Sequence, residues 1–99
     1  MPDLKNRIKR LAKGYQKDMV QIRRHLHEYP ELSGKEISTA DFISKQLKSW
    51  GIEHQTGIAG QGIVGLIRGE NSQGKVIALR ADMDALPITE MNKVPYVSK

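Results

Sequence analysis

The chain has 99 residues, a formal net charge of +5, 38% hydrophobic and 5% aromatic residues, and no cysteine. A chain this short makes one small domain that buries roughly two-thirds of the surface its unfolded form exposes. The composition excludes a disulfide framework, a thiolate zinc site and a cysteine nucleophile within these residues.

No apolar run reaches the roughly 18 residues of a membrane span, so no membrane partner is expected. The N-terminus shows neither the apolar core nor the cleavage site of a secretory signal. Its basic opening turns are poor in serine and contain Asp3 and Asp18, which argues against a transit peptide. A cytoplasmic location is expected.

Leu4, Ile8, Leu11, Tyr15, Met19, Ile22 and Leu26 recur at helical spacing and predict one amphipathic helix over about residues 3 to 28. Lys5, Arg7, Lys9, Arg10, Lys13, Lys17, Arg23 and Arg24 carry much of the charge excess. Such a basic helix face can take nucleic acid or an acidic protein as partner, but the expected reading is a solvated surface. Pro30 ends the helix and biases Tyr29 away from helical geometry.

Ser33 and Glu36 have the spacing of a capping box for a second helix. Ile37, Ala40, Ile43, Leu47 and Trp50 mark its buried stripe, and Gly51 suits the left-handed position after its end. Residues 52 to 56 predict a short strand, with Gly57, Gly60 and Gly62 in a connection. Ile63, Val64, Leu66 and Ile67 predict a strand covered on both faces. The polar stretch from Glu70 to Gly74 reads as a hairpin loop, leading to another buried strand at Val76-Ile77-Ala78-Leu79. Two helices do not supply layers for both faces of such a sheet, which points to an incomplete domain, with a small α/β sandwich as the alternative.

Asp82 and Asp84 close the most apolar strand, where open α/β sheets gather their ligands. If the strand persists to Asp84, both carboxylates project from one face. They can then bind a hard cation, orient a metal-ligating histidine or hold a cationic group. The structural alternative is a turn in which they accept backbone N–H bonds. His25 and His27 are two apart on a helix, poorly arranged to grip one metal, and read as helix-end residues favoured by the dipole. His54 reads as a surface residue. Gly60-Gln61-Gly62 lacks the following helix and lysine of a phosphate loop, and no serine sits in a nucleophile elbow.

Two long stretches carry a resemblance. Arg23-Arg24-His25-Leu26-His27-Glu28-Tyr29-Pro30-Glu31-Leu32-Ser33, followed by Glu36, is one. Ala78-Leu79-Arg80-Ala81-Asp82-Met83-Asp84-Ala85-Leu86-Pro87-Ile88, followed by Glu90, is the other. With Gly62-Ile63-Val64-Gly65 between them, they resemble the metal-dependent aminoacylase and carboxypeptidase family, in the branch of hippurate and auxin-conjugate hydrolases. The resemblance implies an α/β catalytic domain holding two divalent ions (Zn, Mn, Co or Ni) and interrupted by a smaller dimerisation domain. It also implies hydrolysis of amide bonds in N-acyl amino acids or short peptides.

By the same resemblance, Asp84 matches an aspartate that orients a metal-binding histidine, and Asp82 stands where related enzymes place that histidine. Asp82 is therefore an outer-sphere candidate. The Pro30-Glu31-Leu32 end of the first stretch shapes entry to the second helix. The family's Cys-x-His ligand motif follows the stretch that here reads Val94-Pro95-Tyr96-Val97, and it is not among these residues.

The expected fold is therefore α/β, with two N-terminal helices packed on the first strands of a mixed sheet. Residues 1–99 are expected to be the N-terminal part of a catalytic domain, without the dimerisation domain or the metal-ligand segments. As an isolated chain it is expected to be inactive and to hold no metal. Its expected partners are an N-acyl amino acid or peptide substrate and a separate C-terminal fragment. A binding module built on the basic first helix is the alternative function, and nucleic acid is not the expected partner.

Overall fold

In the computed structural model, residues 3–70 and 74–99 are described. The centre of the expected loop at Glu70–Gly74 lies outside the described residues. The chain divides into two units, Met1–Tyr29 with Thr89–Lys99, and Pro30–Ile88.

The first unit is built on α1, Leu4–Glu28. Asp3 caps its start: one carboxylate oxygen accepts from the Asn6 backbone N–H at 3.3 Å, and the other from the Asn6 side chain at 2.7 Å. The helix forms where its periodicity predicts. Its apolar stripe stays exposed, with Leu4, Ile8 and Tyr15 each more than half accessible, and no residue of the helix is buried. The terminal segment returns to the C-terminal end of α1. There Lys99 donates its backbone N–H to the Glu28 carbonyl at 2.9 Å, and its ammonium to the Glu28 carboxylate at 3.1 Å.

The second unit holds α2, Ile37–Ser49, and an antiparallel pair, β1 Glu53–Ile58 and β2 Gly62–Leu66. α2 packs on this hairpin. Gly51, at φ +69°, ends α2 as expected. Its N–H donates to the Lys48 carbonyl at 3.0 Å, and the Ile52 N–H donates to the Leu47 carbonyl at 2.9 Å. These two crossed bonds satisfy carbonyls that the end of a helix leaves open. The strands pair Glu53 with Leu66 and Gln55 with Val64, then shift register between Gln55 and Ile58. Gly57, expected in the connection, lies inside β1 at φ +72°, within that irregularity.

The α/β class and the order of two helices followed by strands are as the sequence predicts. Further local expectations are corrected. Ile37 and Trp50, expected at the two ends of the buried stripe of α2, are exposed. The capping box of Ser33 with Glu36 does not form. Gly34 turns the chain at φ +81°, α2 begins only at Ile37, and Glu36 itself becomes the capping position, with its carboxylate accepting from the Gly34 N–H. β2 is not covered on both faces, since Val64 and Leu66 are exposed in a two-stranded sheet with one helix. The strand expected at 76–79 is absent: Val76, Ile77 and Leu79 are 89, 85 and 97% accessible. A strand needs a neighbour to pair its N–H and C=O groups, and this run has none among the described residues. The core is accordingly thin, and Ala40 is the one buried apolar residue among those described.

Candidate functional site

Asp82 and Asp84 both lie exposed in the segment before Ala85, which forms neither helix nor strand. Asp82 accepts from the guanidinium of Arg80 at 3.1 Å, an exposed pair of the kind worth little to stability. No side-chain hydrogen bond or ion pair joins Asp84 to another described residue. What fixes Asp84 is its neighbour. Ala85 donates its N–H to the Glu31 carbonyl at 2.8 Å and forms a parallel bridge with Leu32.

Glu31 thus serves two elements. Its carbonyl holds Ala85, while its carboxylate accepts from the Thr39 N–H at 2.5 Å, the Thr39 hydroxyl at 2.7 Å and the Ser38 N–H at 3.3 Å. The Thr39 hydroxyl, then the Thr39 N–H, hold the Glu31 carboxyl below its ordinary value, because both favour the charged form. The carboxylate sits on the orphan N–H groups of the first turn of α2, where the helix dipole also favours negative charge. The Pro30-Glu31-Leu32 stretch does shape the entry to α2, as the sequence predicts.

His25 and His27 make their contacts within the first unit. His25 lies 5.0 Å from the Tyr29 ring, centroid to centroid. His27 Nε2 lies 2.9 Å from a Glu90 carboxylate oxygen, and the same oxygen accepts from the Ser98 N–H at 2.7 Å. Arg24 stacks over Tyr96 at 4.4 Å beside this contact. The Ser98 N–H, then His27, pull the Glu90 carboxyl down to about 2. The sign follows directly. A depressed carboxyl favours the ordered segment above its unfolded value near 4.5, and loses that advantage as pH falls toward 2. A carboxyl-carbon NMR titration is expected to place the Glu90 midpoint near 2. A midpoint at the ordinary glutamate value of about 4.3 would contradict the clasp.

His54 is half-buried rather than a plain surface residue. Its Nδ1 lies 2.9 Å from the Ile52 carbonyl, and its Nε2 lies 2.8 Å from the Ser44 hydroxyl. The carbonyl can only accept, so Nδ1 carries the proton, and in the neutral ring Nε2 accepts from Ser44. The pair ties α2 to β1. No local pattern in the sequence announces it.

Among the described residues, no group of three or more His, Asp or Glu side chains is placed to hold a metal ion. None of the described helices is long and apolar enough to cross a membrane.

No protein-family model matches the chain. Individual relatives do. It is 51% identical over 84 residues to an N-acetyl-L-cysteine deacetylase of Bacillus subtilis, covering 85% of this chain and 20% of the relative. It is 46% identical over 98 residues to thermostable carboxypeptidase 2 of Saccharolobus solfataricus, covering 98% and 25%. A hippurate hydrolase of Campylobacter jejuni is 44% identical over 84 residues, covering 85% and 22%. A solved dinuclear metal-binding peptidase of the M20 family from Bacillus subtilis superposes with a TM-score of 0.80 at 40% identity, covering 88% of this chain and 24% of that one. The chain spans about a quarter of the length of the relatives it matches. Over that quarter it belongs to the family of these amidohydrolases, deacetylases and carboxypeptidases.

Proposed function

We propose that the chain supplies part of the catalytic α/β domain of a metal-dependent amidohydrolase acting on N-acyl amino acids or short peptides. The observation that carries this reading is the uninterrupted stretch Ala78 to Ile88 with its two aspartates, in a chain 44 to 51% identical to a hippurate hydrolase and a deacetylase. In such enzymes two divalent ions activate water and polarise the amide carbonyl. The ligands lie outside the described residues, so the contribution of this chain is positional. Asp84 accepts a hydrogen bond from an imidazole that the rest of the family's length provides, fixing its ring and tautomer. Asp82 lies beside it as a further acceptor. A cytoplasmic location fits this reading.

A chimera tests it: this chain replaces the matched quarter of the Bacillus subtilis N-acetyl-L-cysteine deacetylase. The chimera is expected to hydrolyse N-acetyl amino acids and to lose activity with a chelator, while the 99-residue chain alone shows no turnover. A folded chimera without chelator-sensitive hydrolysis, or turnover by the isolated chain, would sink the proposal.

A further inference from the structure

We infer that Glu31 is a positioning residue for Asp84, and that Thr39 acts through it. The inference rests on the reading above, in which the Asp84 carboxylate orients a metal-ligating imidazole, and it adds what holds that carboxylate in place. The residues concerned all lie in the second unit. The main chain next to Asp84 is fixed at Ala85, which donates its N–H to the Glu31 carbonyl at 2.8 Å and bridges Leu32 in parallel. A single carbon separates the Asp84 carboxyl from its Cα, and its torsions keep to a few staggered positions. Whatever places residues 84 and 85 therefore places the carboxylate.

Glu31 is clamped in turn. Its carboxylate takes the Thr39 N–H at 2.5 Å, the Thr39 hydroxyl at 2.7 Å and the Ser38 N–H at 3.3 Å, all in the first turn of α2. Thr39 is only 6% exposed, so its hydroxyl cannot exchange Glu31 for bulk water. Pro30 fixes the backbone torsion just before Glu31. Just after it, the Lys35 N–H donates to the Leu32 carbonyl at 2.9 Å and closes the turn. An ordinary helix cap would stabilise α2 and stop there. Here the carbonyl of the capping residue also holds the neighbour of Asp84, so a 13-residue helix reaches that aspartate through one side chain. Without the carboxylate, Ala85 keeps its bond to residue 31, but the bonded pair is no longer tied to α2. A shift near 1 Å in a group that orients the chemistry can lower the rate as much as about a hundred-fold.

The test is a double-mutant cycle in the chimera, with kcat taken per metal-loaded site and well below the unfolding midpoint. Glu31→Ala is expected to lower kcat roughly ten-fold while KM stays within about two-fold. In the Asp84→Ala background the same change is expected to lower kcat by no more than about two-fold, because the carboxylate it positions is gone. Thr39→Val removes the hydroxyl and leaves the Thr39 N–H on Glu31, so it covers the case in which Glu31→Ala does not fold. It is expected to give a smaller loss in kcat, and Thr39→Ser to restore it. Losses that multiply across the cycle, a change confined to KM, or a Thr39→Ser enzyme no better than Thr39→Val, overturn the inference and leave the role of Asp84 standing. A chimera indifferent to Asp84→Ala overturns both.

Discussion

Asp84→Ala in the chimera is expected to lower kcat/KM roughly ten- to hundred-fold, the usual cost of removing a carboxylate that orients a metal-ligating imidazole. The loss should fall mainly on kcat and on metal affinity, because in the proposed role Asp84 acts on the ligand and touches no substrate. Asp84→Asn should retain part of the activity, since its carbonyl oxygen can still accept the ring N–H but without the charge. Asp82→Ala should cost less, because its carboxylate is already shared with the Arg80 guanidinium at 3.1 Å. Steady-state kinetics with metal titration of the four proteins checks this order. Equal losses at both positions would assign the two aspartates the same role, and that is not what their surroundings support.

Glu31→Ala is expected to destabilise the second unit by about 1–2 kcal/mol, the cost of losing a helix cap made by a charged acceptor. Three donors from Ser38 and Thr39 lose their partner, and Thr39 is buried, so water replaces the carboxylate poorly. The main-chain bond from Ala85 to the Glu31 carbonyl survives the change. The pH dependence has a fixed sign. The Glu31 carboxyl is held below its ordinary value of 4.5, so its contribution is complete above that value and fades as pH falls through the lowered one. Urea denaturation followed by the fluorescence of Trp50, at the end of α2, measures both effects. An unchanged midpoint at neutral pH would show that the cap is dispensable.

What could be read from the sequence was what repeats locally. The apolar spacing of α1 gave its extent within a residue or so, and Gly51 marked the end of α2 because only its backbone takes φ +69° without cost. The start of α2 was misread, because two carboxylates compete for it. Ser33 with Glu36 has the familiar spacing, but the turn at Gly34 leaves that serine too far upstream, and Glu31 reaches the N–H groups instead. The run at 76–79 was legible as apolar, but the hairpin strand expected of it does not form among the described residues, since a strand is defined by a neighbour that its own residues do not encode. His27 with Glu90, 63 residues apart, and Ser44 with His54 are meetings of elements, and periodicity carries no trace of them. The candidate aspartates were visible through the long motif around them. Their spacing alone fits a turn equally well.

The most direct measurement is a crystal structure of the metal-loaded chimera. It should show the Asp84 carboxylate about 2.7–3.2 Å from the free ring nitrogen of a metal-ligating histidine. Asp84 turned to solvent, or bonded only to backbone next to it while the metals are bound and turnover proceeds, would contradict the proposed role.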